Sequence, residues 1–179
     1  YSLSMKSYAI VIELTENIRL EAISAMKKLK HEQKISFIYE NTPCPHFMLV
    51  NNLKFKDLDK TKIALKSLCL SQKNFKVKSN GLGIFVKEKP VLYIRWLITE
   101  NLTLFKKKVY NEIGINEDLN WIPKSTLAWK DTTYQTLEKS LLLLLTFNFE
   151  LVLNVSSVCL YQFEEKKKEK KINEFIFHR

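Results

Sequence analysis

Apolar and polar positions follow two different periods along this 179-residue chain, and the switches between them divide it into elements. Residues 7–14, Ser-Tyr-Ala-Ile-Val-Ile-Glu-Leu, are almost wholly apolar and β-rich, which predicts a strand buried on both faces. Helical spacing follows: Ile18, Ala22, Ala25, Met26 and Leu29 fall on one stripe of residues 18–31, with Arg19, Glu21, Lys27, Lys28 and Lys30 largely outside it and Thr15 or Asn17 at the cap position. His31 at the end of that helix reads as solvated or as a complement to the helix dipole. Residues 35–39 read as a short strand. The turn-rich approach Asn41-Thr42-Pro43-Cys44-Pro45 then leads into the apolar run Pro45-His46-Phe47-Met48-Leu49-Val50, a buried strand. Leu58, Ile63, Leu65, Leu68 and Leu70 predict a second amphipathic helix over 58–70, its lysines solvated.

The second half repeats this rhythm. Phe75-Lys76-Val77-Lys78-Ser79 alternates as a half-exposed strand, Asn80-Gly81-Leu82-Gly83 reads as a turn, and 84–86 and 91–96 complete a meander around the break Lys87-Glu88-Lys89-Pro90. A helix capped by Thr99 or Asn101 runs to Ile113 and stops at Gly114, with Lys106, Lys107 and Lys108 on its solvated surface. Residues 121–130 form a strand containing Pro123-Lys124-Ser125-Thr126-Leu127-Ala128, a distorted echo of the run around His46. Residues 133–147 predict a fourth helix that buries Leu137, Leu141, Leu144 and Leu145. Strands at 151–153, 155–163 and 172–177 close the sheet, with the charged stretch 164–171 as a solvated hairpin tip protecting an edge. Strand, helix and paired strands thus occur twice, dividing near Glu88. The expectation is one α+β domain over 1–179 with two pseudo-symmetric lobes, each an antiparallel sheet with helices on its outer face, flanking a central groove.

Strand parity sets the candidate chemistry. His46 and Met48 share one face of their strand, while Phe47 and Leu49 share the other. In the echo, Lys124, Thr126 and Ala128 share a face, Lys130 has the parity of Lys124, and Trp129 sides with Leu127 toward the core. If the two strands lie side by side, His46 and Lys124 meet across a groove floored by Thr126.

Composition narrows the function classes. A hydrophobic fraction of 46% supplies a core, and three glycines with four prolines leave little for long flexible linkers. No run approaches the roughly 18 apolar residues of a membrane span. Residues 1–14 lack the basic start and cleavage site of a signal peptide, so a cytoplasmic protein without membrane contact is expected. Cys44, Cys69 and Cys159 are odd in number and scattered, as reduced thiols are, and they suggest neither a metal site nor a disulfide frame. Cys44 near His46 lacks a third, orienting group for thiol catalysis. The net charge of +10 fits a polyanionic partner, yet nearly all of it is lysine, with only Arg19, Arg95 and Arg179 besides, so it is equally a compositional bias. Gly81-Leu82-Gly83 lacks the later glycine and the strand-to-helix setting of a phosphate loop. No cofactor is implied, and a monomer is expected.

The chain resembles the two-histidine phosphoesterase superfamily, the group of 2′-5′ RNA ligases and cyclic nucleotide phosphodiesterases. The resemblance is carried by Tyr8-Ala9-Ile10-Val11, Pro45-His46-Phe47-Met48-Leu49, the stretch from Ser79 to Phe85 leading to Val91-Leu92-Tyr93-Ile94, Pro123-Lys124-Ser125-Thr126-Leu127-Ala128, and Val158-Cys159-Leu160-Tyr161. Members carry two His-x-Thr/Ser motifs on inner strands of two symmetric lobes. Here the first keeps His46 but has Met48 for the hydroxyl residue. The second keeps Thr126 but has Lys124 for the histidine, and Trp129 stands where many relatives carry arginine.

The resemblance implies acid–base work by the histidines on a phosphodiester or 2′,3′-cyclic phosphate, with the hydroxyls holding phosphate oxygens. Imidazole, with an ordinary pKa of about 6.5, suits this; a lysine at about 10.4 must fall by roughly three units to act as a base, although its ammonium still binds phosphate. Losing one acid or base costs about 10² to 10⁴ in rate. The loss of a hydroxyl at Met48 costs roughly 0.5 to 3 kcal/mol of phosphate binding or transition-state stabilisation. The expectation is a catalytically impaired member that binds an RNA end, nucleotide or other phosphate through His46, Lys124 and Thr126, with Lys130 and an aromatic, Phe85 or Trp129, at the base or ribose. Two alternatives stay open: an active 2′,3′-cyclic phosphodiesterase using His46 with Lys124, and a non-enzymatic interaction scaffold.

Overall fold

A computed structural model of the chain describes residues 6–164 and 167–178. Tyr1 to Met5 of the leading stretch, Lys166 of the charged run and Arg179 lie outside the described residues. The chain order is β1 (Ser7–Glu13), α1 (Glu16–Gln33), α2 (Phe37–Asn41), β2 (His46–Leu53), a 3-10 turn at Phe55–Asp57, α3 (Leu58–Ser71), β3 (Phe75–Phe85), β4 (Val91–Trp96), α4 (Glu100–Ile113), β5 (Lys124–Ala128), α5 (Tyr134–Leu144), β6 (Val152–Val155), β7 (Ser157–Phe163) and β8 (Lys170–Ile176).

Two four-stranded antiparallel sheets result, ordered β2-β1-β7-β8 and β5-β4-β3-β6. In each half a strand leads through helix into its antiparallel neighbour at the sheet edge: β1 through α1 and α2 into β2, and β4 through α4 into β5. The two motif strands are therefore edge strands, and they approach each other across the lobes. The lobes do not exchange near residue 88. β3 pairs with β4 and β6, so the chain crosses to the second sheet after α3 and returns only at Ser156 between β6 and β7. The repeat in the sequence hid this because a strand's pattern shows that it is buried, not which partner buries it.

β1 is buried on both faces, as its unbroken apolar run requires. Tyr8, Ile10 and Ile12 join a core shared by both sheets and the helices, while Ala9 and Val11 form a smaller cluster with Cys159 and Tyr161, against which Met48 and Phe163 pack. Phe47 of β2 and Trp96 of β4 tie the sheets together with ring centroids 5.8 Å apart. α1 packs on α5, and α3 on α4. Local chemistry sets the helix ends: the Thr99 hydroxyl accepts from the Leu102 N–H, Thr133 and Thr136 form a reciprocal capping box, and Gly114 closes α4 at φ +70°.

Four local expectations are corrected. Residues 35–39 are not a strand but lead into the short helix α2, because Asp131 Oδ2 accepts from the Ser36 and Phe37 N–H groups at 2.7 Å each and seats that turn from far along the chain. Asn80-Gly81-Leu82-Gly83 is not a turn. β3 runs through it with one extra residue against β4, a bulge that Gly81 absorbs at φ +71°, and Gly83 lies so close to the Tyr93 ring that a Cβ would stand 2.4 Å from it. α5 ends at Leu144, so Leu137, Leu141 and Leu144 pack inward while Leu145 is exposed. Lys106 is buried rather than solvated. Its ammonium pairs with Glu117 at 3.1 Å, donates to the Asp118 carbonyl at 2.7 Å and lies over the Trp121 ring, fixing the link from α4 to β5.

No helix among the described residues is long and apolar enough to cross a membrane.

Candidate functional site

A cavity of about 790 Å³ lies between the two motif strands. His46 and Met48 of β2, Lys124 and Thr126 of β5, Lys130 and Trp129 just beyond β5, and Phe85 at the end of β3 all line it. All seven candidate site residues thus border one space. Trp129 corrects the parity argument: β5 stops at Ala128, Lys130 adopts φ +67° and the Asp131 N–H closes back on the Trp129 carbonyl at 2.9 Å. Alternation ends with the strand, and the indole, 41% exposed, faces the cavity instead of the core.

The exposed edge of β2 is sealed by side chains from the other half. Trp121 Nε1 donates to the Met48 carbonyl at 2.7 Å and the Tyr110 hydroxyl to the Leu49 carbonyl at 3.1 Å, which ties β2 to the other half of the molecule.

His46 sits deeper than a groove-wall residue would. It is 8% exposed, with its ring 5.0 Å from that of Tyr161 and 6.4 Å from that of Phe163. Its Nδ1 is 2.9 Å from the Cys44 carbonyl oxygen, which can only accept, so Nδ1 carries the proton and the neutral ring keeps a lone pair on Nε2. Nε2 has no hydrogen-bond partner among the described residues, and it is not among the fully buried, unpaired atoms. It is the nitrogen left for the cavity. Burial lowers the His46 pKa below its ordinary value, opposed by the Cys44 hydrogen bond and the Glu13 charge. At neutral pH the ring is therefore a neutral base.

The facing wall is cationic. Lys124 Nζ lies 4.9 Å from the Phe85 ring centroid, and Lys87 Nζ lies over the same ring at 5.8 Å. Burial, and next the neighbouring Lys87 charge, lower the Lys124 pKa. No carboxylate pairs with Lys124 among the described residues. Lys130 Nζ lies 4.4 Å from the Phe37 ring and 5.0 Å from Trp129, whose rings meet edge to face. The loop bearing Lys87 is pinned by the Tyr134 hydroxyl on the Lys87 carbonyl at 2.6 Å and by Lys89 Nζ on the Lys130 carbonyl at 2.6 Å.

Sequence reasoning missed Lys87, Phe37 and Glu169, which also line the cavity. Lys87 stands in a stretch that reads as a turn, Phe37 in one that reads as a strand, and Glu169 in a charge run. None carries a local signal. The β7–β8 connection is not simply solvated: the Glu169 N–H donates to the Asn41 carbonyl at 2.9 Å, which folds Glu169 in beside His46. Cys44 is inert as a nucleophile, since burial pushes its thiol up to about 11. Among the described residues no group of three His, Cys, Asp or Glu side chains is placed to hold a metal.

The fold is shared with several solved structures. TT0787 of Thermus thermophilus superposes over 96% of this chain and 97% of its own, with a TM-score of 0.68 at 16% identity. E. coli LigT in complex with 3′-AMP follows at a TM-score of 0.64 and 12% identity, over 97% of this chain and 99% of LigT. A crystallised phosphoesterase matches at 0.62 and 10%, over 97% and 99%. The chain has the fold of TT0787, of LigT and of that phosphoesterase. No family sequence model matches it. No curated protein matches it by sequence either.

Proposed function

We propose that the groove binds a phosphate-bearing ligand, an RNA end or a nucleotide, and that its catalysis is impaired relative to a site with two histidines. The observation that carries this reading is the meeting of His46, Thr126 and the unpaired Lys124 ammonium on one cavity, with Lys87 and Lys130 adding positive charge around it. An ammonium held among aromatic faces, without a carboxylate, is a fixed receptor for a phosphate oxygen. Thr126 adds a hydroxyl donor, and the Trp129 and Phe85 faces suit a base or ribose. In support, LigT of the same fold has been crystallised with 3′-AMP, phosphate and ATP.

The impairment follows from the residue types. His46 holds one free lone pair for proton transfer, Met48 offers no hydroxyl, and Lys124 replaces a group that would exchange protons at neutral pH. A second reading, an active cyclic phosphodiesterase, draws on the lowered Lys124 pKa, since a less basic lysine gives up its proton more readily.

One pair of assays tests both. Calorimetric titration with 3′-AMP at low salt is expected to show binding that weakens as salt rises, because the contacts are ionic. Incubation with RNA ending in a 2′,3′-cyclic phosphate is expected to leave the end intact or open it slowly. Rapid opening abolished by His46→Ala would replace the impaired reading with the active one, and no binding of 3′-AMP or phosphate at low salt would remove both.

A further inference from the structure

Glu169 lines the cavity and stands against His46. Its Oε2 lies 3.9 Å from His46 Nδ1, too far for a hydrogen bond, because the Nδ1 proton is already given to Cys44. That same Oε2 is buried and has no hydrogen-bond partner among the described residues. Thr42, on the link between α2 and β2, hydrogen-bonds the carboxyl, and the Glu169 N–H is anchored to Asn41. A carboxyl fixed at this place, with one oxygen left unpaired toward an imidazole, has no evident role in packing.

We propose that Glu169 is a positioning residue for His46, its carboxylate standing beside the ring to favour the imidazolium that forms when Nε2 takes a proton. The inference rests on the reading of the groove as a phosphate site, for which it supplies the proton inventory. A site with two histidines has two proton-exchanging groups at neutral pH; here the second is a carboxyl on the β7–β8 connection. When Nε2 takes a proton from a ligand hydroxyl, the imidazolium forms beside the Glu169 carboxylate, and the pair passes from one negative charge to neutral. When Nε2 returns the proton to a leaving oxygen, the anion is left on Glu169. Burial pushes the Glu169 carboxyl up to about 7 against the Thr42 hydrogen bond, so the carboxylate is the major form above neutral pH.

Other charges face His46 and set its baseline. Glu13 stands opposite it on β1, its carboxylate held by the Tyr161 hydroxyl and by Lys171 Nζ at 2.9 Å, and its charge favours the protonated ring. Tyr161 and Cys159 of β7 and Cys44 are neutral through the accessible range, since burial raises all three. Lys124, Lys130 and Lys167 border the cavity with positive charge, and Glu164 is engaged with Lys167. Glu169 is the carboxylate nearest the ring among the described residues.

The test is an NMR titration of the His46 ring in ligand-free, full-length protein, with His31 and His178 as internal references. Glu169→Gln is expected to lower the His46 midpoint by about one pH unit and to reduce a two-step curve to one step, because it removes the negative charge that favours the imidazolium. Glu169→Asp is expected to restore part of the shift. His46 midpoints equal in wild type and E169Q overturn the proposal. If E169Q does not fold, Thr42→Val serves in its place: losing the hydroxyl that favours the carboxylate lowers the His46 midpoint if the pair is coupled, and an unmoved midpoint refutes the coupling. Neither ligand nor turnover is needed, so an intact coupled titration in a protein that binds no 3′-AMP would remove the phosphate reading and leave the pair.

Discussion

Trp96→Ala is expected to destabilise the protein by about 3–5 kcal/mol, the range for emptying a buried aromatic position. Trp96 is 1% exposed on β4, and its ring reaches across the lobe boundary to Phe47 of β2, itself fully buried. The indole Nε1 also donates to Ser125 Oγ at 2.9 Å, and Ser125 has no exposed surface of its own. Truncation therefore opens a void between the sheets and strands a hydroxyl, which places the loss toward the upper end of that range. For a chain of this length, a loss of about 4 kcal/mol lowers the melting temperature by roughly 8–16 °C. Trp96→Phe keeps most of the volume and loses only the indole donor, so it is expected to cost about 1–2 kcal/mol. Urea denaturation followed by fluorescence and circular dichroism measures both variants. A loss under about 1.5 kcal/mol for the alanine variant would mean that the lobes are joined chiefly elsewhere.

Lys124→Glu carries the other large effect, on binding. A hydrogen bond from a charged donor contributes about 1.5–3 kcal/mol, so Lys124→Ala is expected to weaken 3′-AMP or phosphate binding by about 10- to 150-fold. Reversing the charge adds repulsion between the new carboxylate and the phosphate and carries the loss beyond that range. Lys124 has no ion-pair partner among the described residues, so its removal breaks no internal contact of that kind, and the melting temperature is expected to stay within a few degrees of wild type. Calorimetry at two salt concentrations separates this from a general loss of basic surface: Lys107→Glu, on the exposed face of α4, is expected to change affinity far less. Equal losses from Lys107→Glu and Lys124→Glu would place the binding site outside the groove.

Much of this was legible in the sequence wherever local patterning carried the information. The strand around His46, the echo around Lys124, the Thr99 cap and the Gly114 stop each depend on neighbours within a few residues. The shortfalls share a different cause. α2 forms because a carboxylate from Asp131 reaches it, Lys106 is buried because Glu117 and Asp118 fold back onto it, and Trp129 turns to the cavity because the chain kinks at Lys130. Glu169 gave no sign at all, since a glutamate amid lysines in a charge run reads as solvent-facing until its anchoring to Asn41 is seen to set it beside His46. The membership of β3 was unreadable for the same reason: alternation records a half-buried surface and is silent about which sheet supplies the other half.

The order in which the strands enter the two sheets sets a sequence of events during synthesis. β3 to β6 are consecutive, so the second sheet has all its strands once the ribosome has passed residue 155. The first must wait for β7 to pair with a β1 made some 150 residues earlier, a closure across an already assembled neighbour. Until that strand arrives, β1 and β2 form a lone ribbon whose apolar inner edge is open to other nascent chains. The wall that holds His46 is thus completed after the sheet that carries Lys124.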